Sequence, residues 1–141
     1  MADGPLELLR RVPLFEGLDR SELEGVSRLM KQRTFDEGQA ITSEGQGGVG
    51  FFVIEEGTAK VSVGGKDRGK LGPGDFFGEF ALIDEGSSTR SATITAESEL
   101  RCYGMTPWEF RPLVQENASI GWKLLQSLAK KLRAAEQKQE A

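Results

Sequence analysis

Histidine is absent from all 141 residues of the chain, and much chemistry goes with it. Without imidazole there is no Ser-His-Asp or Cys-His pair and no His-carboxylate facial triad, and a zinc site is disfavoured. A metal oxygenase built on a glycine-rich β fold is thereby excluded. The lone Cys102 leaves no internal disulfide, which suits a reducing, cytoplasmic compartment. No apolar run approaches the roughly 20 residues that cross a bilayer. The N-terminal stretch MADGPLELLRRV lacks the basic-then-apolar order of a signal peptide. A net charge of −4 and a pI near 5.0 disfavour a general nucleic-acid surface. No residue set supports catalysis, so the chain reads as a non-enzyme. The expected partners exclude nucleic acid and membrane, and neither a metal nor a cofactor is expected.

What is present is a glycine-rich centre. Hydrophobic residues make up 38% and charged residues 28%, a globular rather than a disordered balance. Fourteen of the eighteen glycines fall between residues 33 and 105. The order is therefore helices over 1–31, a turn-rich β region over 32–105 and helices over 106–137. Asp3 and Pro5 open a short amphipathic helix. Asp19 and Glu22 form a capping-box pair ahead of a second, whose apolar face is Leu23, Val26, Leu29 and Met30.

Short strands are predicted in RTF, QAIT and GFFVIEE, and over Thr58–Val63, where Ala59, Val61 and Val63 alternate with polar residues. Gly64-Gly65 and Pro73-Gly74 mark turns, and further strands follow over 75–77, 91–96 and 99–105. Many short strands at close spacing indicate a barrel or double-sheet roll. Thr106-Pro107-Trp108-Glu109 caps a helix, and another starts at Asn117. In it Ile120, Leu124, Leu128 and Leu132 recur every four residues, and their burial against the roll or a second subunit is expected. The polar tail EQKQEA is expected to fray.

The stretch FFGEFALIDEGSSTRSATI, residues 76–94, sets a glutamate and an arginine in apolar surroundings, which is costly unless each meets a partner. GEFALI suits a short helical turn whose first free N–H groups, near Phe80 and Ala81, form an anion-binding concavity. Gly78 lets backbone approach a ligand, and Arg90 returns to clamp a phosphate with its guanidinium. Glu79 does not favour a phosphate and suits hydroxyls beside it. Phosphate next to hydroxyl describes a sugar phosphate or nucleotide. The competing reading is a structural Glu79–Arg90 salt bridge.

These residues resemble the cyclic-nucleotide-binding domain family. G-E-F-A-L followed by R-S-A-T is similar to its phosphate-binding cassette, here residues 78–92. Phe35, Gly38, Ile41, Glu44 and Gly45 match a second family pattern, and F-V-I-x-x-G and L-x-P-G-D-F-F-G-E match others. The resemblance covers nearly the whole chain. It implies a single domain, an antiparallel β-roll of the jelly-roll-like kind with N-terminal helices and a long C-terminal helix.

As implied by the resemblance, Glu79 accepts from the ribose 2′-hydroxyl and Arg90 binds the cyclic phosphate. Backbone N–H groups of Gly78, Ala81 and Ser91 and the Ser91 hydroxyl assist, and Val61 and Leu71 wall the pocket. The helix after Asn117 matches the family's moving helix, with Lys131 and Ala135 as lid or base contacts. Two departures stand out: the loop DEGSST is longer than usual, and Ala134, Ala135 and Glu136 replace the polar base contacts of bacterial activators. The implied ligand is cAMP in preference to cGMP.

Blander readings accompany these. Lys130, Lys131 and Arg133 suit a solvated face that complements the helix dipole. Trp108, Phe110 and Trp122 suit core or a dimer interface better than a cap on the base, and Cys102 suits inert core. No helix-turn-helix, kinase or channel segment is read after the long helix, so a homodimer or an effector protein is the expected output partner. The alternatives are a ligand-free dimerisation module using the Ile120–Leu132 stripe and the sensor fragment of a transcription regulator.

Overall fold

A computed structural model of the chain describes residues 5–42, 50–83 and 92–140. Helices α1 (Leu6–Leu9) and α2 (Arg20–Ser27) precede strands β1 (Lys31–Phe35), β2 (Ala40–Thr42), β3 (Phe51–Glu56) and β4 (Ala59–Val63). Strands β5 (Lys66–Leu71), β6 (Phe76–Phe77), β7 (Thr93–Ala96) and β8 (Leu100–Met105) follow, then α3 (Pro107–Glu116) and α4 (Ala118–Glu140). The strands form two four-stranded antiparallel sheets, β1-β8-β3-β6 and β2-β7-β4-β5. The expected roll is therefore present, flanked by helices.

Both predicted capping boxes form. The Asp19 carboxylate accepts from the Glu22 N–H at 2.8 Å, and Glu22 accepts in return from the Asp19 N–H at 3.0 Å. Thr106 and Glu109 do the same at the start of α3. Each box satisfies donors that have no partner inside the first turn.

Alternation along β3 builds two cores. Phe52 and Ile54 point into the roll, where they meet Ala59, Ile94, Leu100 and Cys102. Phe51 and Val53 point outward beneath the helices and join Leu9, Phe15, Val26, Phe110 and Ile120. The period-two geometry of a strand thus ties the roll to its helical cover. Gly64 and Gly65, at φ +59° and +77°, close the β4–β5 hairpin. Two successive left-handed residues are what such a two-residue loop demands. The returning strand β5 was not picked out in the sequence, because KDRGKL is polar and mostly exposed.

One expectation is corrected, and two that offered alternatives are narrowed. Leu124 is buried and Leu128 half-buried, but Leu132 is 63% exposed. A step of four residues overshoots a helical turn by ~40°, so three steps carry Leu132 off the face packed on the roll, and of its two expected covers only a second subunit is left. Of the trio Trp108, Phe110 and Trp122, Phe110 is buried as core, while Trp108 and Trp122 are more than 60% exposed, so the core half of their core-or-interface expectation falls. Residues 136–140 stay helical to Glu140 rather than fraying, in keeping with the high helix propensity of Ala, Glu, Gln and Lys.

Candidate functional site

The site is assembled at the end of β6. Phe76 and Phe77 pair with Val53 and Phe52, and the Phe77 ring stacks on Phe52 with centroids 5.3 Å apart. The Ile54 N–H donates to the Asp75 carbonyl at 2.9 Å, and the Gly74 N–H to the Ile54 carbonyl at 2.8 Å. The chain is thus held firmly up to Gly78, which turns it sharply with φ +85° and ψ 11°. Glycine adopts this left-handed conformation without a Cβ clash.

A 3₁₀ turn, Glu79–Leu82, follows at once. The Ala81 N–H is engaged inside it, donating to the Gly78 carbonyl at 3.1 Å. The N–H groups of Glu79 and Phe80, the first of the turn, have no intrahelical acceptor. Leu82 is 2% exposed and anchors the turn in the core beneath the helices. Glu79 is half-buried and has no hydrogen-bonding or ionic partner among the described residues. A half-buried carboxylate left this way is a ready acceptor. Arg90 and Ser91 lie outside the described residues, as does Glu44-Gly45 of the upstream motif.

Val61, on β4, pairs with Gly69 and Ile94, and Leu71, on β5, pairs with Ala59. Both pack on the core inside the roll. From α4, Lys131 sets its ammonium 5.3 Å from the ring centroid of Phe80, within cation–π range. Ala135 is exposed one turn further on. Between the turn and the two C-terminal helices lies an apolar cavity of about 730 Å³, lined by Leu82, Ile83, Phe110, Val114, Leu124 and Leu128 among others.

The contacts that moor α4 were missed in the sequence. Lys123 donates to Glu22 at 2.6 Å, and the Ser119 hydroxyl donates to the other Glu22 oxygen at 2.7 Å. Lys130 reaches Glu16 at 3.0 Å. The Lys123 bond, aided by the Asp19 N–H, holds the Glu22 carboxyl down at about 2. Glu22 was legible only as a cap, because its partners lie about a hundred residues away and no local pattern announces them. Burial pushes the Cys102 thiol up to about 12, so that sulfur is inert. Among the described residues no group of acidic, cysteine or histidine side chains is placed to hold a metal ion. No described helix is long and apolar enough to cross a membrane.

Residues 32–117 match the family profile of the cyclic nucleotide-binding domain. The chain belongs to that family. It is 37% identical over 123 residues to a cAMP-dependent protein kinase regulatory subunit of Mycosarcoma maydis, covering 81% of this chain and 23% of the relative. It is 29% identical over 132 residues to a CRP-like cAMP-activated global transcriptional regulator of Mycobacterium tuberculosis, covering 90% and 58%. The N-terminal domain of a transcriptional regulator from Streptomyces coelicolor superposes with a TM-score of 0.82 at 28% identity, covering 93% of each chain. The chain therefore spans about a quarter of the kinase subunit's length and somewhat over half of the regulator's. The profile match spans Val61, Leu71 and residues 78–92, so every cassette residue named from the sequence lies inside the cyclic nucleotide-binding domain. Lys131 and Ala135 lie beyond it.

Proposed function

We propose that residues 1–141 form one cytoplasmic sensor domain for a 3′,5′-cyclic nucleotide, cAMP in preference to cGMP, with no catalytic activity of its own. The Gly78–Leu82 turn carries the reading. It sets a half-buried Glu79, with no hydrogen-bonding or ionic partner among the described residues, beside N–H groups that have no intrahelical acceptor, within the residues that match the family. In this reading Glu79 accepts from the ribose 2′-hydroxyl. Arg90 pairs with the cyclic phosphate, helped by backbone N–H groups at the turn and at Ser91. Val61 and Leu71 form the wall of the nucleotide pocket. Two relatives are named for cAMP and one, 38% identical over 96 residues, for cGMP, and the preference for cAMP follows the majority.

The signal leaves through α4. Phe80 belongs to the turn and Lys131 to the helix, so in this reading their contact links the nucleotide to α4. A ligand shifts a two-state equilibrium only through contacts that differ between the states. Isothermal titration with cAMP and cGMP tests the reading directly. Saturable binding with cAMP tighter is expected. cGMP tighter by about tenfold or more would reverse the base assignment, and silence with both would leave an interaction module.

A second reading concerns output. Trp122, Leu125 and Leu132 are each more than half exposed, and with Ala129 they recur at the three-and-four spacing of a coiled-coil seam. The proposed occupant of this stripe is α4 of a second copy.

A further inference from the structure

Away from the cassette, a cavity of about 300 Å³ opens where the start of β1, the end of β8 and the start of α3 meet. Its floor is the Phe52 ring, with Met105 beside it, and both are nearly fully buried. Trp108 stands at its edge, 62% exposed. Two cations, Lys31 and Arg33, and one carboxylate, Glu109, complete the lining that matters here.

The charges are unequally satisfied. Glu109 accepts from Lys31 at 2.9 Å, from the Thr106 N–H at 3.0 Å and from the Thr106 hydroxyl at 2.8 Å. The Lys31 contact, with the Thr106 N–H behind it, holds the Glu109 carboxyl below its ordinary value, so the pair stays charged and internally neutral. Arg33 has no acidic partner among the described residues. The cavity therefore carries one net positive charge, supplied by a guanidinium, between a phenyl floor and an open indole.

A fork of N–H donors matches a carboxylate with two parallel hydrogen bonds. Aromatic faces add offset stacking and a preference for flat rings. The volume is at the lower end of small-ligand pockets, enough for one or two rings. We infer that this cavity is a second binding site, separate from the cassette, for a planar aromatic carboxylate. Arg33 holds the carboxylate, and Trp108 and Phe52 hold the ring. The inference does not depend on which cyclic nucleotide the cassette takes.

The full chain has only two tryptophans, so its indole N–H signals separate this site from α4. ¹⁵N-labelled protein is titrated with naphthalene-2-carboxylate, with and without saturating cAMP. Saturating shifts of the Trp108 indole and the Gly104 amide, unaffected by cAMP, are expected with a midpoint below about 1 mM. The neutral naphthalene-2-carboxamide, and the carboxylate on Arg33→Gln, should each bind at least about tenfold more weakly. Shifts that never saturate, that centre on Trp122, or that are the same for the carboxamide or for Arg33→Gln overturn the site. Displacement by cAMP overturns it too, by placing the probe in the nucleotide pocket.

Discussion

Lys131 of α4 lies over the ring of Phe80, 5.3 Å from its centroid, two residues after the left-handed Gly78. The contact is exposed on both sides, so its worth is about 0.5–1 kcal/mol. Its importance is positional, because it is a described bridge between the turn and the far half of α4. Lys131→Gln should leave the fold intact and lower nucleotide affinity by less than about fivefold. Hydrogen exchange reads the larger effect: nucleotide should protect residues 78–92 in wild type and alter exchange in 117–136. In Lys131→Gln the second response should shrink. An unchanged helix response would mean that the signal travels elsewhere.

Arg90→Ala should weaken cyclic nucleotide binding by about 2–5 kcal/mol, the cost of leaving a buried charge without its partner. Glu79→Gln should cost less, about 1–3 kcal/mol, and narrow the gap between cAMP and its 2′-deoxy analogue. Calorimetry on folded variants checks both. An undiminished preference for the ribose hydroxyl in Glu79→Gln would remove Glu79 from the site.

Gly78→Ala forces a Cβ into φ +85°, at a cost of about 1–2 kcal/mol. A lower Tm is expected, together with weaker nucleotide binding, since the turn can relax only by moving Glu79. A variant with wild-type Tm would show that the left-handed turn is not required.

Glu22 provides a pH test. Its carboxyl is lowered from 4.5 to about 2 in the folded chain, chiefly by Lys123. A depressed carboxyl stabilises the fold above its unfolded value, and that stability is lost as pH falls from about 4.5 towards 2. Glu22→Gln should cost about 1–2 kcal/mol at neutral pH, and flatten the acid limb of the stability profile over that window. An acid limb as steep as wild type would assign it to other carboxylates.

Leu125→Glu tests the exposed stripe of α4. Sedimentation should show wild-type chain associating at micromolar concentration or above and the variant remaining monomeric, with no loss of thermal stability in the monomer, because Leu125 is already 58% exposed. Wild type that stays monomeric at hundreds of micromolar would remove the second-copy reading.

Local rules made much of this molecule legible in advance. Asp19-Glu22 and Thr106-Glu109 act within one helical turn, so both capping boxes were readable from spacing alone. Gly64-Gly65 carried its own turn geometry, and the alternation of Ala59 and Val61 correctly marked the inner face of the roll. The helical turn in G-E-F-A-L was readable for a similar reason, because Gly78 and the residues it redirects are neighbours in the chain. Tertiary packing decided the rest. Whether Leu132 and the two tryptophans are covered depends on where the roll ends beneath α4, and helical spacing contains no such information. The pairing of Glu22 with Lys123 and Ser119, and of Phe80 with Lys131, joins residues about fifty to a hundred positions apart. Hydrophobic burial is non-directional, so the apolar residues could say that a core would form. Only the closed arrangement of the sheets and helices decided which charged and aromatic side chains would meet across it.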